Sequence, residues 1–539
     1  NTGNNAPAGV FEYITDGKVS NLAVINSTFT ACESLSAIVG QGDNITIENC
    51  YSKNNTFISK DTYGFSSGNI IGYVYGAGAT INNCKAINTT LSGGKVNRVF
   101  GGICGTSQGN ITINNCKTVN CRSDEMPMGA GIICNAGRNT NLNNCKVQNT
   151  DTMYAGIIAN RVQTLDRPYD SSEMNDLNIT NCSVKDAKCG FAGIIAFTKQ
   201  ADNKISNCKV ENIKIKNDET SMLHSLGGIV GCALSDCDIE NCSVRKVEGV
   251  IISRFGGIIG DFLGLGTVGT LNIKNCNVQD ITSSKNKTLG GIVGISCGET
   301  IIQNCNVNNV KSNDADSSGD KGGIIANICE NRDGKEVRIE GCNVNNFDVI
   351  GTNSTGGIVG YGEGAKVDSC IVSNSNIECN PQSTYNNGGI VGFLVNGKIS
   401  NCATKNVNLK NAGGRAGGIL GGTESSSVES SNVYGGSIVS TSDTMGIGGI
   451  CGLGTNVSDC TVEDLKIEAP NVVGVGGIVG HGRNFVSTSL IQNCSIKNCQ
   501  IKGKNYVGGI AGAASINISN CQVEGSTLEG TDGVGGIQG

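Results

Sequence analysis

Twenty-seven cysteines, two histidines and no tryptophan set the chemical inventory of this 539-residue chain. Thiols form disulfides, bind soft metals or act as nucleophiles, so the first question is where the sulfurs fall. Fifteen take one recurring position: Cys50, Cys84, Cys116, Cys145, Cys182, Cys208, Cys242, Cys276, Cys305, Cys342, Cys370, Cys402, Cys460, Cys494 and Cys521. Two further units keep the frame with Leu22 and Ser431 in the cysteine's place. A site that takes Cys, Leu and Ser asks for a small side chain of modest polarity, and the sequence predicts a stacked column of buried thiols acting as small hydrophobes. Bridges across one corner, Cys116 to Cys121, Cys237 to Cys242 or Cys494 to Cys499, are the alternative. No C-x-x-C pair exists, so a structural zinc site is not expected. The odd total leaves one thiol free unless chains pair.

Other chemistries are limited by inventory. With only His224 and His481, Ser-His-Asp and Cys-His catalysis and multi-histidine metal sites are nearly excluded. Asp314, Asp316 and Asp320 in NDADSSGDK could gather around calcium, but the EF-hand glycine and distal glutamate are missing. Acidic residues do not recur on one strand face, so no carboxylate pair is nominated for glycan cleavage. A net charge of −6 and no visible basic stripe argue against a nucleic-acid partner. No apolar run reaches the ~18–20 residues that span a bilayer.

The cysteines repeat because the whole chain repeats. From Leu22 to Cys521 there are sixteen intervals of 26 to 37 residues, averaging about 31, which is a solenoid period. Counted from the cysteine, the residue at −3 is aliphatic in all seventeen units and +2 is Val or Ile in thirteen, and where the pattern extends apolar residues also stand at −5, +5 and +7. Those are period-2 pairs separated by three-residue steps: short strands with one face inward, joined by corners. At −1, thirteen of seventeen units carry asparagine: Asn21, Asn49, Asn83, Asn115, Asn144, Asn181, Asn207, Asn241, Asn275, Asn304, Asn401, Asn493 and Asn520. Asparagine tolerates the left-handed region a tight bend requires, and stacked coils let these amides bond in a ladder. A second marker, GGIVG and its variants, recurs eighteen times and marks a sharp turn or a close backbone approach.

The sequence therefore predicts an all-β chain: a single right-handed parallel β-helix over residues 1–539, about 17 coils of about 31 residues, with an Asn corner ladder and a Cys column. At ~4.8 Å per coil this makes a rod about 80 Å long. Glycine at 79 residues, aromatics at 4% and charged residues at 16% suit its thin aliphatic core. The longest inserted loop is 160–176.

GGIVG followed by a spacer ending in glycine and then I-x-N-C-x-V resembles the GLUG-type repeat (GGLVG…G-x-I-x-N) of large bacterial and some protist surface proteins. The resemblance runs from Ala8 to Gly539. It implies a β-solenoid stalk or adhesive surface, outside the cell or on its surface. The near-invariant cysteine departs from that family's small or aromatic residue, so no binding site is carried over.

Thirteen Asn-x-Ser/Thr sequons occur, among them Asn26, Asn88, Asn110 and Asn178. Asn181, Asn241 and Asn493 coincide with corners and are expected to be structural. The leading functional expectation is a non-enzymatic extracellular rod, stalk or filament subunit without cofactor. Its partners would be itself, head to tail or laterally, further repeats of the same chain, or a surface glycan or protein ligand. Both ends stand in the same repeat phase, which suits head-to-tail joining or an excerpt of a longer solenoid. A carbohydrate-binding or carbohydrate-cleaving β-helix is the alternative, and it requires a groove with aromatic platforms. An ice-binding surface would need a regular threonine lattice, which the mixed outward residues do not supply.

Overall fold

The structure is a computed structural model that describes residues 7–539 except 32–33, 60–64, 93–97, 124–127, 152–154, 161–175, 199–201, 217–224, 251–253, 264–268, 285–287, 314–318, 330–334, 352, 380–385, 411, 413, 444, 455, 483–489 and 515–516. The chain forms two compact units, Asn1–Val250 with Leu263–Gly269, and Ile251–Phe262 with Thr270–Gly539. Among the described residues every regular element is a strand. The fold is a parallel β-solenoid with about 32 residues per turn.

One coil of the first unit shows the pattern. Arg98–Gly101 ends on the glycine pair, Cys104–Ser107 and Asn110–Asn114 follow along a second face, and Lys117–Val119 and Arg122–Ser123 make the third. Each strand pairs in parallel with its equivalent one coil on: Val99 opposite Met128, Cys104 opposite Ile133, Ile113 opposite Leu142, Lys117 opposite Lys146. The second unit repeats it, with Asn387–Gly388, Val391–Val395, Lys398–Ser400, Ala403–Lys405 and Asn408–Lys410 stacked on the coil that follows. The strand leading into the cysteine position occurs eight times in the first unit and nine times in the second.

The core follows the apolar positions. Ile47, Ile81, Ile113, Leu142, Ile179 and Ile205 form one buried column, each in register with the next. Burying each such side chain is worth roughly 1.5–3 kcal/mol, so the column is a main source of stability. Its register also fixes every outward residue, because a slip of one would turn the column to solvent.

The glycine pairs answer to spacing and not to backbone angle. A Cβ on Gly322 would lie 1.9 Å from the Ile325 carbonyl oxygen of its own coil, and one on Gly323 1.9 Å from the Gly357 oxygen of the next. Neither residue has a positive φ. Of the two roles the sequence left open, close approach is the one realised here.

Candidate functional site

Twenty-three of the 24 described free cysteines are buried, and Cys521 is half-exposed. All fifteen column cysteines point Sγ at the carbonyl oxygen two residues earlier in their own coil, at 3.1 Å in Cys460 and 3.6 Å in Cys145 at the extremes. Sulfur also receives a backbone N–H from the neighbouring coil, as Cys116 does from Cys84 and Cys182 from Cys145, both at 3.4 Å. Ser431 reproduces both bonds: its Oγ donates to the Glu429 oxygen at 2.8 Å and accepts from the Cys402 N–H at 3.2 Å. Cysteine and Ser431 thus use the position for a compact side chain that donates and, in Cys116, Cys182 and Ser431, also accepts, while Leu22 fills it without either bond.

Burial and thiol–thiol bonds raise several of these groups, whereas in Cys145, Cys342 and Cys494 the bond to a neighbouring column thiol lowers them. The bond with Cys116, then burial, pushes the Cys84 thiol up to about 12, and burial pushes Cys121 up to about 11. The local bridges considered across one corner do not form: Cys116, Cys121, Cys237, Cys242, Cys494 and Cys499 are all free. Cys121 accepts from Thr89 Oγ1 at 3.0 Å instead. The disulfide that does form joins Cys297 to Cys329 on successive coils of the second unit, with Cα atoms 4.8 Å apart. Both residues are half-exposed, and each stands seven positions after the first glycine of its own marker. That shared offset is the signal by which the sequence could have paired them.

Every one of the thirteen corner asparagines has a positive φ, between 51° and 60°. Gly341, Ser369, Ser430 and Asp459 take the same conformation in the other four coils. The amides of most corners continue the sheet ladder, as when Asn49 N–H donates to the Asn82 oxygen at 3.0 Å. Side chains form part of the expected ladder: Asn49 to Asn21 and Asn83 to Asn49 at 3.2 Å, Asn144 to Asn115 at 2.8 Å. Asn181 instead reaches Asn143, and Asn401 reaches Asp368.

A second left-handed column at +4 carries no residue assignment in the sequence reading above. It runs through Asn26, Asn54, Asn88 and Asn120 in the first coils, with Asp186, Asp280, Asp464 and Lys246 among its later members. Asn54 donates to Asn26 and Asn88 to Asn54 at 3.0 Å, and Asn120 to Asn88 at 2.7 Å. The sequons at Asn26 and Asn88 are therefore corner residues as well. Asn110 and Asn178 also lie in amide pairs, with Asn139 and Asn141.

Outside these columns three polar or aromatic groupings stand out. Asp320 is largely buried, accepts from Asn327 Nδ2 at 2.6 Å and the Ser354 N–H at 3.1 Å, and burial pushes its carboxyl up to about 6. Asp314 and Asp316, its companions in the calcium reading, lie outside the described residues, and no metal-type cluster occurs among the described ones. Asp261, 1% exposed, pairs with Arg254 at 2.7 Å. Tyr361 and Phe393 stack on successive coils with centroids 6.0 Å apart, a two-ring platform with Asn327 and Gly422 on either side in register. Most of the 160–176 insertion lies outside the described residues.

Among the described residues, no helix is long and apolar enough to cross a membrane. The family model of the GLUG motif matches residues 223–245, the segment carrying GGIVG, Cys237 and Cys242. That match and the β-solenoid fold fit a GLUG-type β-helix repeat protein. Searches of curated proteins and of solved structures find no match to this chain.

Proposed function

We propose that this chain is an extracellular structural element of an adhesin-like surface protein, a stalk or filament subunit whose work is done by its scaffold. The observation that carries this reading is the use to which its cysteines, asparagines and glycines are put: each class forms a coil-to-coil column, and none converges on a reaction centre in the described residues. A GLUG motif on a β-solenoid is compatible with such a protein. We assign it no catalytic step.

The edge strands carry side chains that a further coil would cover. In the second unit Val534 is 48% exposed, whereas its register partner Val507 is fully buried. In the first, Phe11 is 40% exposed and its partner Val39 fully buried. A coil of matching phase laid on either edge would pair its strands and cover these side chains, whether from the same polypeptide or from a second copy. Sedimentation velocity and electron microscopy over a concentration series test the filament version. Growth that Val534→Lys abolishes is expected, and a strictly monomeric particle at every concentration would exclude it. Labelling of intact cells by antibody against the chain tests the location.

A further inference from the structure

Stacking a repeat places residues from distant parts of the sequence side by side, and in the first unit it does this to three lysines. Lys85, Lys117 and Lys146 occupy the position after the cysteine in successive coils and are in direct register. Their backbones are fixed by the ladder: Lys117 N–H donates to the Cys84 oxygen at 3.0 Å and Lys146 N–H to the Cys116 oxygen at 2.9 Å. Neighbouring strands lie ~4.8 Å apart, so three ammonium groups leave one flat strip at that pitch. Lys85 and Lys146 are exposed and Lys117 half-exposed.

Several outward lysines at other positions pair with an acid one coil away: Lys18 with Glu48, Lys214 with Glu248, Lys398 with Glu429 and Lys502 with Glu529. No ion pair is formed by these three among the described residues. The sequence accounts for it, since residues 78–150 hold seven Lys and Arg against two Asp and Glu, a net +5 in a chain of −6. Like charges placed directly opposite repel and are destabilising in a sheet, so a column of them without acids is a fold-level cost that a ligand would offset.

We propose that this lysine column is a binding strip for a linear anionic polysaccharide, a polyuronate or sulfated glycan whose negative charges repeat along its length. The strip's flanks fit a sugar chain. On one side run the amides of Asn82 and Asn114, bonded at 3.0 Å, which present donors and acceptors to hydroxyl groups. On the other run Ile87 and Val119, half-buried and in register, which offer an apolar surface to a ring face. A single aromatic, Tyr51, stands in register with Lys85. Single-stranded nucleic acid would require a ring for each of several successive bases. The inference gives the surface-ligand reading above a place and a chemistry, and does not depend on assembly between copies.

The test uses the full chain and three immobilised probes: polygalacturonate, a neutral glucan of equal length, and a single-stranded oligonucleotide of equal charge. Binding to polygalacturonate is expected at about 50 mM salt and should be lost by about 0.5 M. Lys85→Gln/Lys117→Gln/Lys146→Gln should weaken it at least about tenfold and flatten the slope of log K against log salt by roughly 2, about 0.7 for each neutralised charge removed. Lys398→Gln/Lys466→Gln/Lys502→Gln in the second unit removes the same net charge and should leave binding unchanged, and circular dichroism confirms both variants fold. Equal affinity for the neutral glucan, tighter capture of the oligonucleotide, or a first variant that binds like the parent would each overturn the proposal. Self-association by sedimentation reads the assembly proposal separately.

Discussion

Alanine at Gly323 should force two coils of the second unit apart. Its Cβ would meet the Gly357 oxygen at 1.9 Å and the Val344 methyls at 2.8 and 2.9 Å, where carbon contacts ordinarily sit near 3.5 Å. Relief requires a retreat of more than about 1 Å, against neighbouring bonds from Ile324 and Ile325 N–H to the Ile358 oxygen at 2.9 and 3.0 Å. Overpacking costs about 1–3 kcal/mol and one or two stretched backbone bonds about 1 kcal/mol each, so a loss of about 2–5 kcal/mol is expected. Gly536 is the control. It holds the same place in its marker, also without a positive φ, but nothing lies within 4 Å of its Cβ direction. Gly536→Ala in this 539-residue chain should be neutral or stabilising by up to ~1 kcal/mol, through the entropy of the unfolded state. Because repeat arrays open coil by coil, native-state hydrogen exchange at Ile324 and Ile325 is the appropriate readout. Exchange at least about thirtyfold faster in Gly323→Ala is expected. Unchanged protection there, or equal loss in both variants, would show that the glycines are not set by coil spacing.

Other expectations follow from the same geometry. Cys208→Ser should cost little, because Ser431 makes both column bonds, whereas Cys208→Asp should destabilise by several kcal/mol through a buried charge; denaturant unfolding compares them. Reduction and alkylation of the native protein, read by peptide mass mapping, should label Cys297 and Cys329 before any buried column thiol. Losing that 32-residue cross-link should lower stability by up to about 3–4 kcal/mol in the chain-entropy account. Burial pushes the Asp320 carboxyl up to about 6 from its ordinary 3.8, so the native state holds its proton more tightly than the unfolded chain. Its contribution is full below about pH 4, falls as pH rises through about 6 and is flat above. Asp320→Asn should remove about 2–3 kcal/mol of that slope in pH-dependent unfolding, and a slope unchanged in the variant would refute the assignment.

The columns differ in how legible they are in the sequence. Asn49 or Asn181 could be placed at a left-handed corner because few residues take that conformation, and because their spacing from the aliphatic at −3 fixes the strand that precedes them. The +4 corner was equally encoded, by Asn54, Asn88 and Asp280. There the period-2 pairs gave the bend without the residue, since the three-residue step leaves more than one position for it. The Cys297–Cys329 bond and the Lys85–Lys117–Lys146 strip are legible only when positions are counted from the nearest marker or cysteine: loops stretch the coils unevenly, from 26 to 37 residues, so raw spacing hides that the positions coincide. Asp320 is a different case. Its burial depends on how Asn327 and Ser354 close over it, a packing detail that no periodicity carries.

The column also bears on how so many thiols could suit the extracellular location proposed above. A run of serines would give each coil the same two bonds, but a hydroxyl leaves water at a cost of roughly 1–3 kcal/mol when imperfectly paired, and a thiol at much less. One Ser431 is tolerable where fifteen would erode the core. Sulfur brings a risk of oxidation, since disulfide exchange needs an accessible thiolate. Access is the condition the fold removes, by burial, for all the column thiols but Cys521, and in Cys84, pushed to about 12, and Cys121, pushed to about 11, the proton is also held in place at neutral pH. Cys297 and Cys329, half-exposed and one coil apart, escape that protection and are the two that pair. In a stacked solenoid, redox fate is therefore decided by which face of the coil a cysteine occupies, so a chain with 27 of them can stand in an oxidising compartment with its column still reduced.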